Sequence, residues 1–167
     1  MAYNIESLHS GHKKGVFSCG EDSLDAYIHR YAKQDIKRRV TRVFVLTEEM
    51  DSKEILGYYS LSAGSVYAEH LPDSIKNKLP RYPIPVVLLG RLAISKKNHG
   101  QGLGMILLAD AMKRILKASE AIAFYALVVD ALDSKAKAYY QQFGFIPFPN
   151  QPLKLFLPLE HFSKLLE

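Results

Sequence analysis

Three glycines within five positions, followed by an apolar run, form the stretch of this sequence most suited to chemistry. Gly100, Gly102 and Gly104 lie in NHGQGLGMILLADAMKRIL, residues 98–116. Glycine lets the backbone approach a ligand closely because it has no Cβ. A helix that begins at this point leaves its first N–H groups without intrahelical partners. Such a turn is suited to binding an anion, a phosphate group above all.

Two familiar phosphate-binding loops do not fit this stretch. A Walker A loop requires a lysine directly after its last glycine, and no lysine follows a suitably spaced glycine in this chain. The dinucleotide fingerprint G-x-G-x-x-G has a different third spacing and directly follows a strand. In this sequence five polar residues, 95–99, separate the preceding apolar run from the glycines. The loop therefore belongs to neither class.

A second stretch, DSKAKAYYQQFGF at residues 133–145, completes a pattern with the glycine loop. Together the two stretches resemble the GNAT superfamily of acetyl-CoA-dependent N-acetyltransferases. The family's pyrophosphate loop has the pattern Q/R-x-x-G-x-G/A, and its later element has the pattern N-x-x-A-x-x-[FY]-Y-x-x-x-G-F. This chain departs from them at His99, where Gln or Arg is usual, and at Asp133, where Asn is usual. The resemblance covers residues 86–145 closely and the whole chain in element order.

This resemblance implies acetyl-CoA as co-substrate. Backbone N–H groups of the loop would hold the pyrophosphate, and the end of the preceding strand would offer backbone groups to the pantetheine arm. The implied coenzyme-binding residues are Leu92, Ala93, Ile94, His99, Gly100, Gln101, Gly102, Leu103, Gly104, Met105 and Asp133. For Asp133 a helix cap is the stronger interpretation, because its negative charge would not favour a nearby phosphate. We expect no metal, because the six histidines do not cluster at metal-binding spacing.

Tyr140 is the catalytic residue that the family pattern implies. When an amine attacks the thioester, coenzyme A leaves as a thiolate, and the conjugate thiol resembles cysteine, whose pKa is about 8.5. A phenol can donate a hydrogen bond to that sulfur and supply a proton. The alternative is that Tyr140 only packs, since ten tyrosines occur in the chain and Tyr139 lies beside it.

Further stretches resemble a narrower group, the GNAT-type toxins of bacterial toxin–antitoxin modules, which acetylate aminoacyl-tRNA. These stretches are FSCGEDSLDAYIHRYAKQD, GYYSLSAGSV, PIPVVLLGRLAIS and PLKLFLPL. This resemblance implies a toxin that blocks translation by acetylating the α-amino group of aminoacyl-tRNA. The implied partners are a ribbon-helix-helix antitoxin and a second copy of the chain in a homodimer.

The charge distribution agrees with a polyanionic substrate. Basic residues cluster between positions 29 and 42, where Asp35 is the only acid. This cluster either binds tRNA phosphates or is one solvated helix face. Arg91 interrupts an apolar strand as either an ion-pair partner or a substrate contact. The predicted tRNA contacts are Arg30, Lys33, Lys37, Arg38 and Arg91.

The chemistry of the amine also favours an aminoacyl ester. A free α-amino group has a pKa of about 7.7–8.0, and esterification of the carboxyl group lowers this pKa further. A lysine side chain, with a pKa of about 10.4, would need an enzymatic base. No general-base carboxylate is evident on the strands beside the loop, because Glu48 and Glu49 lie at the end of the first hairpin strand and the second strand has none.

Two other functions remain open from the sequence. A metabolic GNAT enzyme would acetylate a small amine, a drug or a protein N-terminus, and its expression would leave growth unaffected. A catalytically inactive module would bind acetyl-CoA tightly without turnover, and Tyr140 argues against that alternative.

Hydrophobic periodicity predicts the elements that position these residues. Residues 21–38 predict a helix capped by Asp22 or Ser23, with an apolar stripe of Leu24, Tyr27, Ile28, Tyr31 and Ala32. Residues 42–48 and 55–66 predict a hairpin, 71–85 a short helix and an extended approach, and 86–94 a buried strand. A helix over 102–117, a strand over 121–131, a helix over 133–144, a strand over 152–159 and a terminal turn or helix follow. The order predicts an α/β fold of the GNAT type, a mixed central sheet flanked by helices.

Length and composition limit the classes of protein to which this chain can belong. A chain of 167 residues that is 48% hydrophobic predicts one folded domain, residues 1–167. The net charge of +5 is a mild excess. The single cysteine, Cys19, excludes an internal disulfide. No run reaches membrane-spanning length and no signal peptide is evident, so we expect a cytoplasmic protein.

Overall fold

The computed structural model describes residues 3–166 and contains a mixed seven-stranded sheet flanked by helices, which confirms the predicted fold class. The strands lie in the order β1-β2-β3-β4-β5-β7-β6. Their bounds are Asn4–Ser7 (β1), Arg42–Thr47 (β2), Gly57–Val66 (β3), Ile84–Ile94 (β4), Ala126–Asp130 (β5), Ile146–Phe148 (β6) and Gln151–Pro158 (β7). The β4–β5 pair is parallel, and the pairs β1–β2, β2–β3, β5–β7 and β6–β7 are antiparallel.

Six α-helical segments accompany the strands within the described residues, 3–166. They are Asp22–Ala26 (α1), Ala32–Lys37 (α2), Asp73–Lys76 (α3), Leu103–Ala118 (α4), Ser134–Gln141 (α5) and Phe162–Leu166 (α6). A π-helical turn, Tyr27–Tyr31, joins α1 to α2. Single 3₁₀ turns occur at Lys14–Val16, Ala68–His70, Lys96–Asn98 and Leu159–His161. No helix within residues 3–166 is long and apolar enough to cross a membrane.

The chain divides into two compact units. The first comprises residues 3–62 and 90–113, and the second comprises residues 63–89 and 114–166. In the first unit, the α1–α2 helix and the strands share a core in which the Tyr58 hydroxyl donates a 2.6 Å hydrogen bond to the Leu24 carbonyl. The core residues are Phe17, Cys19, Leu24, Tyr27, Ile28, Ala32, Val43, Val45, Ile55, Tyr58 and Ala93.

The π turn changes which side chains of this helix are buried. A regular α-helix would place Tyr31 in the middle of the predicted apolar stripe, yet Tyr31 is 53% exposed and Ala32 is fully buried. A π turn accommodates about one extra residue, so Ala32 takes the position that Tyr31 would have occupied. The prediction for Tyr31 is therefore wrong, and that for Leu24, Tyr27, Ile28 and Ala32 is confirmed.

The second unit is built around β5 and its neighbours. Val86 through Leu89 of β4 pair with Ala126 through Val129 of β5 in parallel register. The strand that the apolar run at 86–94 predicts is thus confirmed, with two additional residues at its start. The buried cluster of this unit consists of Val66, Leu71, Ile84, Val86, Ala126, Val128, Phe148 and Phe156.

Three local predictions are corrected by the structure. The short strands β1 and β6 were not expected, because Asn4–Ser7 is mostly polar and β6 contains Pro147. The start of α1 is not capped by Asp22 or Ser23, because its N-cap residue is Glu21 and no side-chain cap bond forms. The side chain of Asp25 stabilises this turn instead, because it accepts a 2.9 Å hydrogen bond from the backbone N–H of Cys19.

Candidate functional site

The glycine loop has a backbone conformation that explains two of its glycines. Gly100 and Gly102 have φ angles of +78° and +76°, in the left-handed region that side chains with a Cβ adopt only at a cost. No heavy atom lies within 4 Å of the position that a Cβ would occupy at either residue. Gly104 lies one residue inside α4, without a positive φ angle. The loop is therefore a tight turn with open space beside its backbone.

The start of α4 is electrostatically suited to an anion. The helix has sixteen residues and no acidic residue in its first turn, so its N-terminal N–H groups and dipole are not neutralised by a carboxylate. Lys96 and Lys97 in the preceding 3₁₀ turn are exposed. Lys97 forms a 2.6 Å ion pair with Glu54, and the side chain of Lys96 lies against Gly20.

His99 connects the loop to the predicted pantetheine strand. Its Nε2 lies 2.8 Å from the carbonyl oxygen of Ile94. A carbonyl only accepts hydrogen bonds, so this nitrogen carries the proton. The departure from the family's Gln or Arg thus retains a hydrogen-bond donor at this position. We infer that this hydrogen bond from the His99 ring fixes the loop to the end of β4.

The end of β4 presents alternate side chains to two different layers. A Cβ placed on Gly57 would lie 2.7 Å from the Ile94 side chain and 3.1 Å from that of Leu107 in α4, so Ile94 lies on the α4 face. Ala93 belongs to the core beneath the α1–α2 helix. Because side chains alternate along a strand, Arg91 shares the α1–α2 face with Ala93, and Leu92 shares the α4 face with Ile94.

The predicted basic residues form an exposed surface on the α1–α2 helix. Arg30, Lys33, Lys37 and Arg38 are all exposed, and within residues 3–166 none of them forms an ion pair. A small cavity of about 80 Å³ lies beside Lys33 and is also lined by Lys14. Lys14 was not predicted to belong to this surface, because it precedes the basic cluster by sixteen positions and only folding brings it to Lys33.

The one acid of the basic cluster is not part of the exposed surface. Asp35 is partly buried and accepts a 2.9 Å hydrogen bond from the Tyr27 hydroxyl. Burial is the main cause that raises the pKa of Tyr27, and the Asp35 carboxylate raises it further. Asp35 therefore contributes to the interior of the helix layer and does not screen the exposed basic side chains.

Asp133 is a helix cap, as the sequence indicated. Its side chain accepts the backbone N–H of Ala136 at 2.8 Å and begins α5 in the second unit. Gly144, with a φ angle of +93°, follows the helix end. These two residues fix both ends of the helix that carries Tyr140.

Tyr140 is a buried phenol at the C-terminal part of α5. Its side chain is 8% exposed, and its ring centroid lies 5.4 Å from that of Phe145 and 5.6 Å from that of Tyr139. Within residues 3–166 its hydroxyl forms no hydrogen bond. Burial raises the pKa of Tyr140, and the neighbouring Tyr139 raises it further. The phenol therefore stays protonated well above neutral pH and is a donor without a partner.

The prediction that the histidines do not cluster at metal-binding spacing is wrong for His9 and His12. Glu6, His9 and His12 bring three potential ligand atoms within 4.8 Å of one another. The Nδ1 atoms of the two rings accept backbone N–H groups, from Gly11 to His9 at 3.0 Å and from His9 to His12 at 3.1 Å. Both protons therefore lie on Nε2, and that of His12 points to Glu6 at 2.9 Å. A metal bound at Nε2 would require the opposite tautomer, so these residues form a hydrogen-bonded cluster in this structure.

Comparison with known proteins is consistent with this geometry. Residues 18–154 match the family described as acetyltransferase (GNAT) domain. The tRNA-acetylating toxin of Mycobacterium tuberculosis (strain ATCC 25618 / H37Rv) is 38% identical over 141 residues, which are 84% of this chain and 82% of that protein. The probable toxin TacT of Sinorhizobium fredii (strain NBRC 101917 / NGR234) is 28% identical over 163 residues, covering 93% and 90% of the two chains.

Solved structures of toxins of this kind have the same fold over nearly the whole chain. A mutant of KacT superimposes with a TM-score of 0.91 at 33% identity, covering 99% of both chains. AtaT complexed with acetyl-methionyl-tRNAfMet gives a TM-score of 0.90 at 32% identity, covering 99% of this chain and 100% of that one. AtaTR bound with AcCoA gives a TM-score of 0.84 at 30% identity, covering 99% of this chain and 98% of that one.

Proposed function

Since this chain belongs to the GNAT acetyltransferase family, we propose that it is the toxin of a toxin–antitoxin module and acetylates the α-amino group of aminoacyl-tRNA. The observation that carries this proposal is the similarity over most of the chain to a tRNA-acetylating toxin and to AtaT, whose structure contains acetyl-methionyl-tRNAfMet. Acetylation removes the nucleophile with which aminoacyl-tRNA forms a peptide bond. Translation would therefore stop when the product accumulates.

Acetyl-CoA is the co-substrate that the site accommodates. The open backbone at Gly100 and Gly102 and the start of α4, whose first turn contains no acidic residue, together suit a pyrophosphate. Leu92, Ala93 and Ile94 would bind the pantetheine arm through backbone groups, and the remaining loop residues would line the coenzyme. The Ile94 carbonyl already accepts a hydrogen bond from His99, so one of its two lone pairs is left for a further donor.

The described strands agree with a substrate that needs no enzymatic base. Neither β3 nor β4 contains an aspartate or glutamate. Asp110 on α4 accepts a 2.6 Å hydrogen bond from the Tyr59 hydroxyl, so this carboxylate is already engaged. A large fraction of the α-amino groups of an aminoacyl ester is neutral near pH 7, and the neutral amine can attack the thioester without help.

The complexes of the relatives support a proposal about partners. KacT has been solved in a KacTA–DNA complex, and AtaT with the C-terminus of the antitoxin AtaR. We propose that this chain likewise pairs with an antitoxin, of the ribbon-helix-helix class, and forms a homodimer. We propose that the reaction takes place in the cytoplasm, where charged tRNA is found.

The decisive experiment uses the purified protein, labelled acetyl-CoA and a total pool of charged tRNA. The label should appear on the α-amino group of aminoacyl-tRNA, and nuclease digestion followed by mass spectrometry would identify the amino acid. Label on free amines or protein N-termini, with none on tRNA, would instead indicate a metabolic acetyltransferase.

The pH dependence of acetylation should have a rising limb and no falling limb up to about pH 10. The rise follows loss of the proton from the substrate amine, whose pKa lies below about 8. Tyr140 must keep its proton to donate it, and burial raises its pKa, so its neutral form persists above the ordinary titration range. The measurement is kcat/KM for charged tRNA against pH, with short reaction times because the aminoacyl ester hydrolyses in alkali. A falling limb centred below pH 9 would contradict a tyrosine donor of this kind.

Neutralising the exposed basic residues of the α1–α2 helix (here called the basic helix) should weaken tRNA binding and reduce the salt dependence of that binding. Changing Lys33, Lys37 and Arg38 together to glutamine should reduce the slope of log affinity against log salt by about 1 per lost phosphate contact. Affinity for acetyl-CoA should not change. The matched control removes three exposed lysines from other elements, Lys78, Lys113 and Lys164. If both triple variants have the wild-type slope, the basic helix is only a solvated face.

A further inference from the structure

Arg91 has a defined place in the structure but no charged partner. Its guanidinium carbon lies 3.4 Å from the centroid of the Tyr27 ring, so the group is stacked flat on the aromatic face. Within residues 3–166, the side chain of Arg91 forms no ion pair and no hydrogen bond. Of the two interpretations that the sequence left open, the structural ion pair is therefore wrong. The N–H donors around the edge of the guanidinium remain available.

Tyr27 is held in turn by Asp35. The ring is 3% exposed, and its hydroxyl donates a 2.9 Å hydrogen bond to the Asp35 carboxylate. In a regular α-helix, eight residues turn the chain by about 800°, which would place Asp35 about 80° away from Tyr27. The π turn that begins at Tyr27 takes up about one residue. Around the helix axis, Tyr27 and Asp35 are then related as two residues seven positions apart in a regular α-helix would be. Seven steps of about 100° bring the two side chains within about 20° of one another.

The position of Arg91 indicates what its free edge meets. A strand advances about 3.3 Å per residue, so Arg91 lies about 3–10 Å along β4 from Leu92, Ala93 and Ile94. It lies on the α1–α2 face of the sheet, whereas the side chains of Leu92 and Ile94 lie on the α4 face. An anion bound by Arg91 would therefore approach from the side of the basic helix.

We propose that Tyr27 and Asp35 are positioning residues that hold the Arg91 guanidinium so that it binds a phosphate close to the 3′ end of the aminoacyl-tRNA. This inference rests on the proposed function and adds a contact near the reacting amine to the general attraction of the basic helix. A planar guanidinium with free N–H donors binds a phosphate in two-pronged fashion. Fixing the group on an aromatic ring lowers the conformational entropy that binding must remove.

The test is a double-mutant cycle on tRNA affinity. Fluorescence anisotropy of deacylated tRNA, labelled at its 5′ end, would be measured between 50 and 300 mM salt (about a twofold range of Debye length). Arg91→Gln should weaken binding about tenfold or more and reduce the salt slope by about 0.7–0.9, the value of one phosphate contact. Arg91→Lys keeps the charge, so it should keep the slope while losing part of the affinity. The affinity for acetyl-CoA, measured by calorimetry, should stay the same in each variant.

Tyr27→Phe isolates the positioning role because it keeps the ring and its packing while removing the bond to Asp35. It should weaken tRNA binding about two- to fivefold in the presence of Arg91 and have no effect in the Arg91→Gln background. The matched control is Tyr31→Phe, an exposed tyrosine in the same π turn. An unchanged salt slope in Arg91→Gln, a loss of acetyl-CoA affinity, or equal effects of Tyr27→Phe in both backgrounds would overturn the inference. If the wild-type protein bound no tRNA, the proposed function itself would be wrong. If the wild-type protein bound tRNA but the variants behaved as in the overturning outcomes above, only the inference about Arg91 would be wrong.

Discussion

Tyr140→Phe should lower the turnover of acetyl transfer by about 10²- to 10⁴-fold, the usual contribution of a general acid. The substitution removes one hydroxyl and keeps the ring that packs against Phe145, so folding and acetyl-CoA affinity should be preserved. The loss should fall on kcat, because the hydroxyl acts when the thiolate forms. Steady-state acetylation of charged tRNA and calorimetry of acetyl-CoA binding measure the two quantities separately. Cells should also grow while expressing this variant without an antitoxin.

The raised pKa of Tyr140 refines the role of this residue. A buried phenol gives up its proton to a thiolate less readily than an exposed one, since the thiol formed has a pKa of only about 8.5. We therefore expect the Tyr140 hydroxyl to donate a strong hydrogen bond to the departing sulfur. As the phenol passes its proton to the thiolate, the new ammonium group returns a proton to the phenol. A solvent isotope effect on kcat that disappears in Tyr140→Phe would support this order of events.

Tyr139→Phe is the matched control for this prediction. The two tyrosines are neighbours on α5 and point about 100° apart around the helix. Tyr139 contacts Phe143 with a ring separation of 5.2 Å, and removal of its hydroxyl leaves that contact in place. The control should retain most of the activity. Equal losses from both substitutions would show that α5 had merely been disturbed, and full activity in Tyr140→Phe would indicate that water or the substrate supplies the proton.

Elements with strong local signals were predictable from the sequence. The apolar run of β4, the turn glycines of the loop and the cap at Asp133 each depend on a property of one or a few neighbouring residues. Such properties follow directly from sterics and hydrogen bonding. The fold class followed from the order of these elements, and this part of the prediction is confirmed.

Features that depend on distant residues were not predictable. Strand β1 is four residues long and mostly polar, and it forms only because the edge of β2 offers hydrogen-bond partners. Pairing of this kind contributes nothing to a local hydrophobic pattern.

The π turn is the most instructive of these differences. The apolar spacing of residues 24–32 fits a regular helix, so nothing in the pattern marks the extra residue at Tyr27–Tyr31. The structure nevertheless makes Tyr31 exposed and turns Asp35 inward to Tyr27. The sequence could identify Arg91 as unusual in an apolar strand, but the aromatic ring that it contacts belongs to a different element, so only folding brings the two side chains together.

Gly104→Val should weaken acetyl-CoA binding by at least about 10²-fold. The prediction rests on the assignment of the pyrophosphate to the start of α4, where backbone N–H groups are the donors. Hydrogen bonds to a charged group are worth about 1.5–3 kcal/mol each, so losing two of them accounts for this factor. A branched side chain at Gly104 would occupy the space through which phosphate oxygens approach. Calorimetric titration with acetyl-CoA measures the effect directly.

Gly104 is a cleaner position for this test than Gly102. Gly102 has a φ angle of +76°, so any larger residue there strains the loop whether or not a ligand binds. Gly104 lies within the helix without a positive φ angle, where valine has a helix propensity at least equal to that of glycine. The thermal midpoint of the variant should therefore not fall. Ala118→Val, at the exposed last residue of the same helix, introduces the same side chain away from the loop and should bind acetyl-CoA normally. Wild-type affinity in a folded Gly104→Val protein would mean that the pyrophosphate binds elsewhere.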